Sequence, residues 1–464
     1  MTLATSPLAV LPTELPPVER QATIPLGFVA GAAVAGIKAS GRPDLAIVAT
    51  QTGPDGIRVA ASAAAVFTPN AFAAAPVRLS KAHLAATDAA GNGGFGWATA
   101  VLSTSGSANA ATGAAGDADQ AAIADMLAAA LATTTEQTLL LSTGLIGTRL
   151  PLDRVRDGIA AVASMLAATD DALTAAAVAL QTTDSMTKTA TTSLTLPDRD
   201  GFAVRPVRVT GIAKGVGMIH PRMATMLSII VTDATVDPAT LHGLLRPAAA
   251  RTWDQLSVDG DTSTNDTVFV LASGAAGAAA VTAGTREAVE LGRAIEAVAR
   301  DLARQQAADG EGATTLITCQ VSGAADDADA RAIARTVISS SLVKAAAHGR
   351  DPNWGRVAGA AGNARLADEA VLAAAGLPAA AARSRAGTAA ELDPDRLRIA
   401  IAGHLVFDGR AGGPVPFDRE AARAAMESPE LLLRLDLGLG EGVGEGFGCD
   451  LTEAYVIENS EYST

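Results

Sequence analysis

A threonine at the junction of a polar loop and an apolar run is the strongest candidate for a reactive side chain. Residues 214–233 read KGVGMIHPRMATMLSIIVTD, and Thr225 stands where the loop meets the apolar run. Glycine tolerates positive φ, and proline fixes its own φ and lacks a donor, so the first half predicts irregular backbone. Residues 226–231 predict a short buried strand. A strand would hold the hydroxyl while the loop leaves it reachable, although an ordinary loop-to-strand junction has the same local pattern.

Two other kinds of segment are candidates for ligand binding: one polar run and two glycine-rich segments. Residues 257–267, SVDGDTSTNDT, carry three aspartates and five hydroxyls, but the run lacks the closing glutamate of a calcium loop. We therefore predict a hydrogen-bonded scaffold for neighbouring groups and no metal site. Residues 102–116 and 139–147 predict glycine-rich loops that could present backbone N–H groups to an anion, with tight turns as the alternative.

Composition and charge narrow the class of protein. At 464 residues and 46.3 kDa the chain exceeds one ordinary core, so we expect two domains or one large elaborated domain. The net charge of −14, without a compensating basic run, repels phosphate backbones and argues against nucleic acid as a partner. Cys319 and Cys449 are far apart and predict buried thiols in a reducing compartment. The apolar residues 28–37 are too few and too glycine-broken to span a bilayer, so we expect a soluble cytoplasmic protein.

The elements that must position these residues alternate between helices and strands. Periodicity and capping signals predict helices at 117–132, 153–167, 170–180, 287–308 and 326–340. Apolar runs predict strands at 45–50, 57–61, 65–67, 226–231, 268–271, 316–321, 397–407, 431–437 and 455–458. Residues 1–22 contain four prolines with little periodicity and predict a loose N-terminal arm. The pattern is typical of the mixed α+β class.

Six motifs along the chain resemble those of one enzyme family. KGVGMIHPRMATML, STGLIG, SVDGDTSTNDT, DGEGAT, GRDPNWGR and the tail YVIENSEYST are similar to the ornithine acetyltransferase (glutamate N-acetyltransferase) family of arginine biosynthesis. The resemblance runs from about residue 24 to the last residue. It implies an N-terminal-nucleophile-like core with α/β/β/α layers in residues 23–322. A smaller C-terminal α/β domain, residues 323–464, would return its tail to the active site.

The resemblance also implies a mechanism. The precursor would cleave itself between Ala224 and Thr225, giving fragments 1–224 and 225–464, an alpha and a beta fragment that stay together and pair further. Thr225 would then be the nucleophile, and its freed α-amino group the base, which suits a hydroxyl that needs a base to become nucleophilic. Thr143 and Gly144 would form the oxyanion hole. No cofactor and no metal are implied, and the acetyl group would pass from N-acetylornithine to Thr225 and then to glutamate.

The implied substrate-binding residues lie far apart along the chain: Thr182, Lys214, Thr225, Glu311, Asn459 and Thr464. His220 lies five residues before Thr225 and suggests a Thr/His dyad, but the amine explains base catalysis without it.

Three residues depart from the family pattern. The usual NSGNANA loop reads TSGSANA with Thr104 and Ser107, and Thr315 replaces a lysine. Glutamate as acceptor is therefore open to alternatives: a paralogue with another amine donor or acyl acceptor, or an amidase or aminopeptidase with the same nucleophile. A non-enzymatic, unprocessed assembly module is a further alternative, and use of acetyl-CoA is undecided.

Overall fold

The computed structural model describes residue 8, residues 15–220 and residues 226–460 of the chain. The described strands are β1 Phe28–Ala33, β2 Leu45–Thr50, β3 Ala61–Phe67, β4 Phe95–Ala98, β5 Ala100–Ser107, β6 Thr138–Leu145, β7 Lys188–Pro197, β8 Val204–Lys214, β9 Leu227–Thr232, β10 Leu256–Ser257, β11 Thr267–Ala272, β12 Leu316–Ala324, β13 Arg398–Ile401, β14 His404–Asp408, β15 Gly413–Pro414, β16 Glu430–Asp436 and β17 Gly442–Cys449. The described helices are α1 Ala75–Thr87, α2 Gly113–Leu131, α3 Leu152–Met165, α4 Asp170–Leu180, α5 Pro238–Arg251, α6 Arg286–Ala308, α7 Asp327–Ser339, α8 Ser341–His348, α9 Trp354–Gly362, α10 Glu369–Ala374, α11 Ala379–Arg385, α12 Arg419–Ala425 and α13 Glu453–Ser460.

Two β-sheets stack face to face at the centre of the larger unit. One has the strand order β1-β2-β5-β6, and the other has β4-β3-β11-β9-β8-β7. Val48 and Leu141 of the first sheet pack in one apolar cluster with Ile229 and Phe269 of the second. Helices α2 and α3 cover the outer face of the first sheet, and α5 and α6 cover that of the second. These four layers are the α/β/β/α core that the resemblance implied.

The period of two along β9 explains why this strand could be predicted. Ile229 and Val231 face the sheet-to-sheet core, whereas Ile230 faces the core beneath α5 and α6. Side chains of a strand alternate between the two faces, so a strand covered on both sides reads as a continuous apolar run. The predicted strand at 226–231 is confirmed with a shift of one residue at each end.

A second sheet-and-helix unit follows, with strand order β10-β17-β12-β16-β13-β14-β15. Helices α7, α8 and α9 contribute to its apolar core. The predicted boundary at residue 322 falls inside β12, because that strand already pairs with β16 and β17 of this sheet. Arg300 of α6 binds Glu445 of β17 through two hydrogen bonds of 2.7 and 2.8 Å, which ties the two units together.

The N-terminal segment is anchored where the structure describes it. Glu19 pairs with Thr191 of β7 in an antiparallel bridge, and Ala22 is buried. Residues 17–22, predicted as part of a loose arm, therefore lie against the six-stranded sheet. Residues 1–7 and 9–14 of that predicted arm lie outside the described residues.

Several sequence predictions were wrong in detail. The predicted strand at 455–458 is helix α13, whose start is capped by Thr452 Oγ1 accepting from the N–H of Tyr455. The predicted strand at 397–407 is the hairpin of β13 and β14, and residues 57–60 form no strand. In the two predicted glycine-rich loops, residues 102–107 belong to β5 and residues 139–145 to β6, which pair as parallel strands, and residues 113–116 begin α2. Cys319 and Cys449 are buried, as predicted.

Of the helices in the described part of the chain, none is long and apolar enough to cross a bilayer.

Candidate active site

One cavity of about 290 Å³ lies where the ends of the two stacked sheets meet the loop after α6. Six of the residues expected at the site line it: Thr143, Gly144, Thr182, Lys214, Glu311 and Asn459. They come from β6, the segment after α4, the end of β8, the loop after α6, and α13. The other residues expected there, Ala224, Thr225 and Thr464, lie outside the described residues.

Thr143 and Gly144 sit at the end of β6, beside β5. The parallel register pairs Ser105 with Thr143 and Gly106 with Gly144. Gly144 has φ +130°, and a Cβ atom there would lie 2.3 Å from the Gly106 carbonyl carbon. Only glycine accepts both this φ and this close backbone approach. The strand pair therefore holds the Thr-Gly backbone rigidly at the cavity wall.

Lys214 and the start of β9 are neighbours in the six-stranded sheet. Lys214 is the last residue of β8, rather than the loop residue that the sequence predicted, and it pairs with Leu227. Its Nζ is buried 3.5 Å from Thr143 Oγ1. The strand β9 begins at Leu227, two residues after Thr225 in sequence, and the pairing places the start of β9 beside this lysine.

The start of β9 is also held from its other side. The N–H of Met226 donates to Asp266 Oδ1 at 2.9 Å, and Leu227 pairs with Thr267 of the parallel strand β11. Asp266 is fully buried, and burial raises the pKa of its carboxyl well above the ordinary value. A buried carboxyl thus fixes the residue that directly follows Thr225.

The polar run at 257–267 acts as the scaffold that its composition predicted. Asn265 Nδ2 donates to the backbone carbonyls of Ala108 at 2.7 Å and Ser142 at 2.8 Å. Thr264 Oγ1 donates to Asn265 Oδ1 at 2.6 Å. This amide therefore ties the ends of β5 and β6 to the start of β11, across the two sheets.

Glu311 presents a carboxylate whose two oxygens are held by different parts of the chain. Thr183 Oγ1 donates to Oε1 at 3.0 Å, and Asn459 Nδ2 of α13 donates to Oε2 at 3.0 Å. The C-terminal segment thus reaches the cavity. A Cβ atom at Gly217 would lie 2.1 Å from Glu311 Oε2, so the glycine of the KGVG motif makes room for this carboxylate.

Charged groups buried beside the cavity were missed by the sequence analysis. Asp184 and Lys188 form an ion pair at 2.7 Å, and Asp184 Oδ2 lies 3.9 Å from Lys214 Nζ. Burial by itself would raise the pKa of Asp184, but the charges of Lys214 and Lys188 hold it well below its ordinary value. The only sequence signal was an aspartate two residues after Thr182 and a lysine four residues further.

His220 lies outside the cavity lining. Its Nδ1 is 3.0 Å from Ser257 Oγ and 3.4 Å from Ser339 Oγ, and its carbonyl accepts from Thr262 Oγ1. It lines a separate cavity of about 340 Å³ between α7 and the end of α5. These contacts suit a residue that anchors the loop before residue 221.

The three departures from the family pattern make contacts away from the cavity lining. Thr104 Oγ1 is 2.9 Å from Ser142 Oγ, and Ser107 Oγ donates to the Thr148 carbonyl at 2.8 Å. The N–H of Thr315 donates to Asp450 Oδ1 at 2.9 Å.

Comparison with known proteins gives one consistent result. The family model described as "ArgJ family" matches residues 29–464. The "Arginine biosynthesis bifunctional protein ArgJ" of a Synechococcus strain is 43% identical over 451 residues, covering 95% of this chain and 97% of that protein. The protein of the same name from Synechocystis is 41% identical over 456 residues, covering 96% and 98%. A solved structure of arginine biosynthesis bifunctional protein ArgJ from Bacillus halodurans is 35% identical and covers 51% of this chain and 99% of that chain, with a TM-score of 0.44.

Proposed function

The chain belongs to the ArgJ family, and on that premise we propose that it transfers the acetyl group of N2-acetyl-L-ornithine to L-glutamate in arginine biosynthesis. The acetyl group passes through an ester on Thr225. The observation that carries the proposal is the convergence of Thr143, Gly144, Lys214 and Glu311 on one cavity beside the start of β9. A rigid site that collects a hydroxyl, a cation and a carboxylate from distant segments suits an amino-acid zwitterion.

The nucleophile arises by self-cleavage between Ala224 and Thr225. Cleavage frees the α-amino group of Thr225, whose pKa of about 8 lets it serve as a base near neutral pH. The amine takes the proton from Thr225 Oγ while Oγ attacks the acetyl carbonyl carbon. Ornithine leaves with that proton. Glutamate's neutral amine then attacks the Thr225 ester, the bond between the acetyl carbon and Oγ breaks, and the proton lost by glutamate's amine passes through the Thr225 α-amine to Oγ, which regenerates the hydroxyl. Both half-reactions use the same groups, so no cofactor takes part.

Thr143 and Gly144 stabilise the oxyanion of each tetrahedral intermediate. Lys214 Nζ lies 3.5 Å from Thr143 Oγ1, which accepts from it, so the hydroxyl proton of Thr143 stays available for the oxyanion. Lys214 adds a positive charge on the same side of the cavity. Gly144 keeps its backbone in place through the close contact with Gly106.

Glutamate is the acceptor favoured by the positions of the departures. Thr104, Ser107 and Thr315 contact neighbouring protein groups and are absent from the described lining of the cavity. Their replacement therefore leaves the described binding groups unchanged. Thr182, Lys214, Glu311 and Asn459, with Thr225 and Thr464, bind the substrates.

The two fragments stay joined because they share one sheet. In the six-stranded sheet β3, β4, β7 and β8 precede the cleavage point, whereas β9 and β11 follow it. The antiparallel pairing of β8 with β9 runs from Val209–Thr232 to Lys214–Leu227. Separation of the fragments would break this ladder and expose both sheet cores. We further propose a cytoplasmic location and a heterotetramer of two such heterodimers. Light scattering of the purified protein, which measures its molar mass, would test the heterotetramer.

Intact mass spectrometry of the purified protein, before and after addition of N-acetylornithine, tests the proposal. Two fragments that meet at Ala224 and Thr225, followed by a gain of one acetyl group on the second fragment, are expected. Addition of glutamate should then remove that group and yield N-acetylglutamate without acetyl-CoA. Release of free acetate with no acceptor would instead identify a hydrolase, and turnover by an uncleaved chain would rule out the mechanism.

Replacement of Thr143 by valine tests the oxyanion hole. The change keeps the side-chain shape and removes the hydroxyl, so kcat should fall by about 10²- to 10³-fold, as is typical for loss of one oxyanion donor. The melting temperature should change little, and Thr143→Ser, which keeps the hydroxyl, should retain most of the activity. Steady-state kinetics and thermal unfolding of the two variants measure this. Equal activity of the valine variant and the wild type would remove Thr143 from the mechanism.

A further inference from the structure

A single buried carboxylate contacts two of the expected site residues from behind the cavity. Asp184 Oδ2 accepts from the N–H of Thr182 at 3.0 Å and lies 3.9 Å from Lys214 Nζ. Its other oxygen, Oδ1, accepts from the N–H of Gly215 at 2.8 Å. Thr182 and Lys214, which form a polar wall of the cavity, are therefore both in contact with this one side chain.

Asp184 is itself held by a second ion pair. Lys188 Nζ donates to Asp184 Oδ1 at 2.7 Å and also to Asp309 Oδ2. Asp309 further accepts from the N–H and the hydroxyl of Ser185. Two cations and two anions alternate along this chain of contacts, from Lys214 to Asp309. The side chains of Asp184 and Lys188 are 0% exposed and that of Lys214 is 5% exposed.

Burial of charged side chains costs free energy unless each charge has a partner of opposite sign. Removal of one partner strongly destabilises the folded protein, because the other charge stays buried without compensation. Among the described residues, Asp184 is the carboxylate that forms an ion pair with Lys214 within 4 Å. Lys188, by contrast, would keep Asp309 if Asp184 were neutral. The charge on Lys214 thus depends on Asp184 more than the charge on Lys188 does.

The groups around Lys214 act on its charge in opposite directions. Burial lowers the pKa of Lys214, Asp184 opposes that change most strongly, and Lys188 adds to it. The other charged or titratable groups that act on it are Glu311 after α6, Asp266 before β11, and Lys38 after β1. Burial raises the pKa of Asp266 well above its ordinary value, and burial lowers the pKa of Lys38 to about 8. Among the described residues, Asp184, whose own pKa is depressed, is the carboxylate that lies within 4 Å of Lys214 Nζ.

We propose that Asp184 is a positioning residue: it keeps Lys214 charged and aimed at Thr143, and it fixes the backbone of Thr182 at the cavity. This inference rests on the proposed acetyl transfer, in which the Lys214 ammonium stands beside the oxyanion donors. Asp184 does not line the cavity, so its effect reaches the substrate through Lys214 and Thr182.

The replacement Asp184→Asn tests the inference because the amide has nearly the shape of the carboxylate and lacks its charge. Loss of the anion lowers the pKa of Lys214, so the ammonium is lost at lower pH. The basic limb of the kcat/KM profile should therefore move down by about one pH unit or more. At a pH above that limb, kcat/KM should fall about tenfold for each pH unit by which the limb moves. Asp184→Glu keeps the charge and should return the basic limb toward the wild-type position.

A matched control separates this effect from a general loss of stability. Asp119 is also a buried carboxylate, and it binds Arg149 through two hydrogen bonds of 2.6 Å between α2 and the segment after β6, away from the cavity lining. Asp119→Asn should lower the melting temperature and leave the basic limb in place. An equal movement of the limb in Asp119→Asn, or none in Asp184→Asn, would overturn the inference.

A measurement on the wild type covers the case in which Asp184→Asn does not fold. In NMR of protein labelled with ¹³C at lysine Cε, the Lys214 signal reports directly whether this amine is charged. The signal is assigned by its absence from the spectrum of Lys214→Arg. A charged Lys214 at neutral pH is expected, and a neutral amine there would overturn the inference. This readout needs no turnover, so an inactive wild type with a charged Lys214 would count against the proposed acetyl transfer alone.

Discussion

A Thr225→Ala variant is expected to purify as one uncut chain of 46.3 kDa and to transfer no acetyl group. Alanine has no hydroxyl to carry out the proposed cleavage, so the α-amino group proposed as the base would not be freed. Transfer activity should fall by about 10⁴-fold or more, as for other enzymes that lose their nucleophile. Gel electrophoresis, intact mass spectrometry and an acetylornithine–glutamate exchange assay measure the three consequences.

Thr225→Ser is the matched control for that variant. Serine keeps the hydroxyl and, after cleavage, the α-amino group, so the chain should process and accept an acetyl group at a reduced rate. Normal processing of Thr225→Ala would show that another residue is the nucleophile. Uncut but active Thr225→Ala protein would separate the chemistry from cleavage and contradict the proposed base.

Gly144→Ala should disable the site by forcing β5 and β6 apart. The added Cβ would lie 2.3 Å from the Gly106 carbonyl carbon, 2.6 Å from its oxygen and 2.7 Å from the Ser107 nitrogen, and all three are backbone atoms that cannot swing away. The φ of +130° adds a conformational cost for any residue with a Cβ. Together these effects should lower the free energy of unfolding by about 3 kcal/mol or more. Urea unfolding and kcat of the folded fraction measure the effect.

Gly147→Ala, four residues along the same segment as Thr143, isolates the conformational cost. Gly147 also has a positive φ, +83°, but a Cβ there would meet no atom within 4 Å. The expected loss of stability is about 1–2 kcal/mol, with transfer activity retained. Equal losses in the two variants would show that the close approach of β5 and β6 is not what the site requires.

The sequence patterns and motifs of the chain predicted a good part of both the fold and the site. The predicted helix at 170–180 and the predicted strand at 45–50 agree with α4 and β2 to the residue. Both are short segments with clear signals, an N-terminal Asp for the helix and a β-branched apolar run for the strand. Six expected site residues that are spread over more than 300 positions line one cavity. Each of these residues lies in a short sequence motif, so a resemblance to a family could identify it without knowledge of its neighbours in space.

Secondary-structure predictions from the local sequence pattern were wrong where tertiary contacts decide the conformation. Residues 102–107 and 139–145 lie in segments that were predicted as loops, yet they pair as parallel strands. Residues 455–458 predicted a strand, but Val456 and Ile457 are exposed on a helix that carries Asn459 to Glu311. Strand β5 finds its hydrogen-bond partners in β6, more than thirty residues away in sequence, and α13 is joined to the cavity through the hydrogen bond from Asn459 to Glu311.

By itself, then, the sequence determined which residue types are available for chemistry: a threonine at the head of a buried strand, a Thr-Gly pair, and a lysine and a glutamate in glycine-containing motifs. The tertiary structure alone decided which charges face one another. Lys188 pairs with both Asp184 and Asp309, and Asp184 lies near Lys214, because the start of β7, the end of β8 and the end of α6 meet at one place. The strength of a charge interaction depends on distance and burial, and both are set by packing between segments that no local pattern connects.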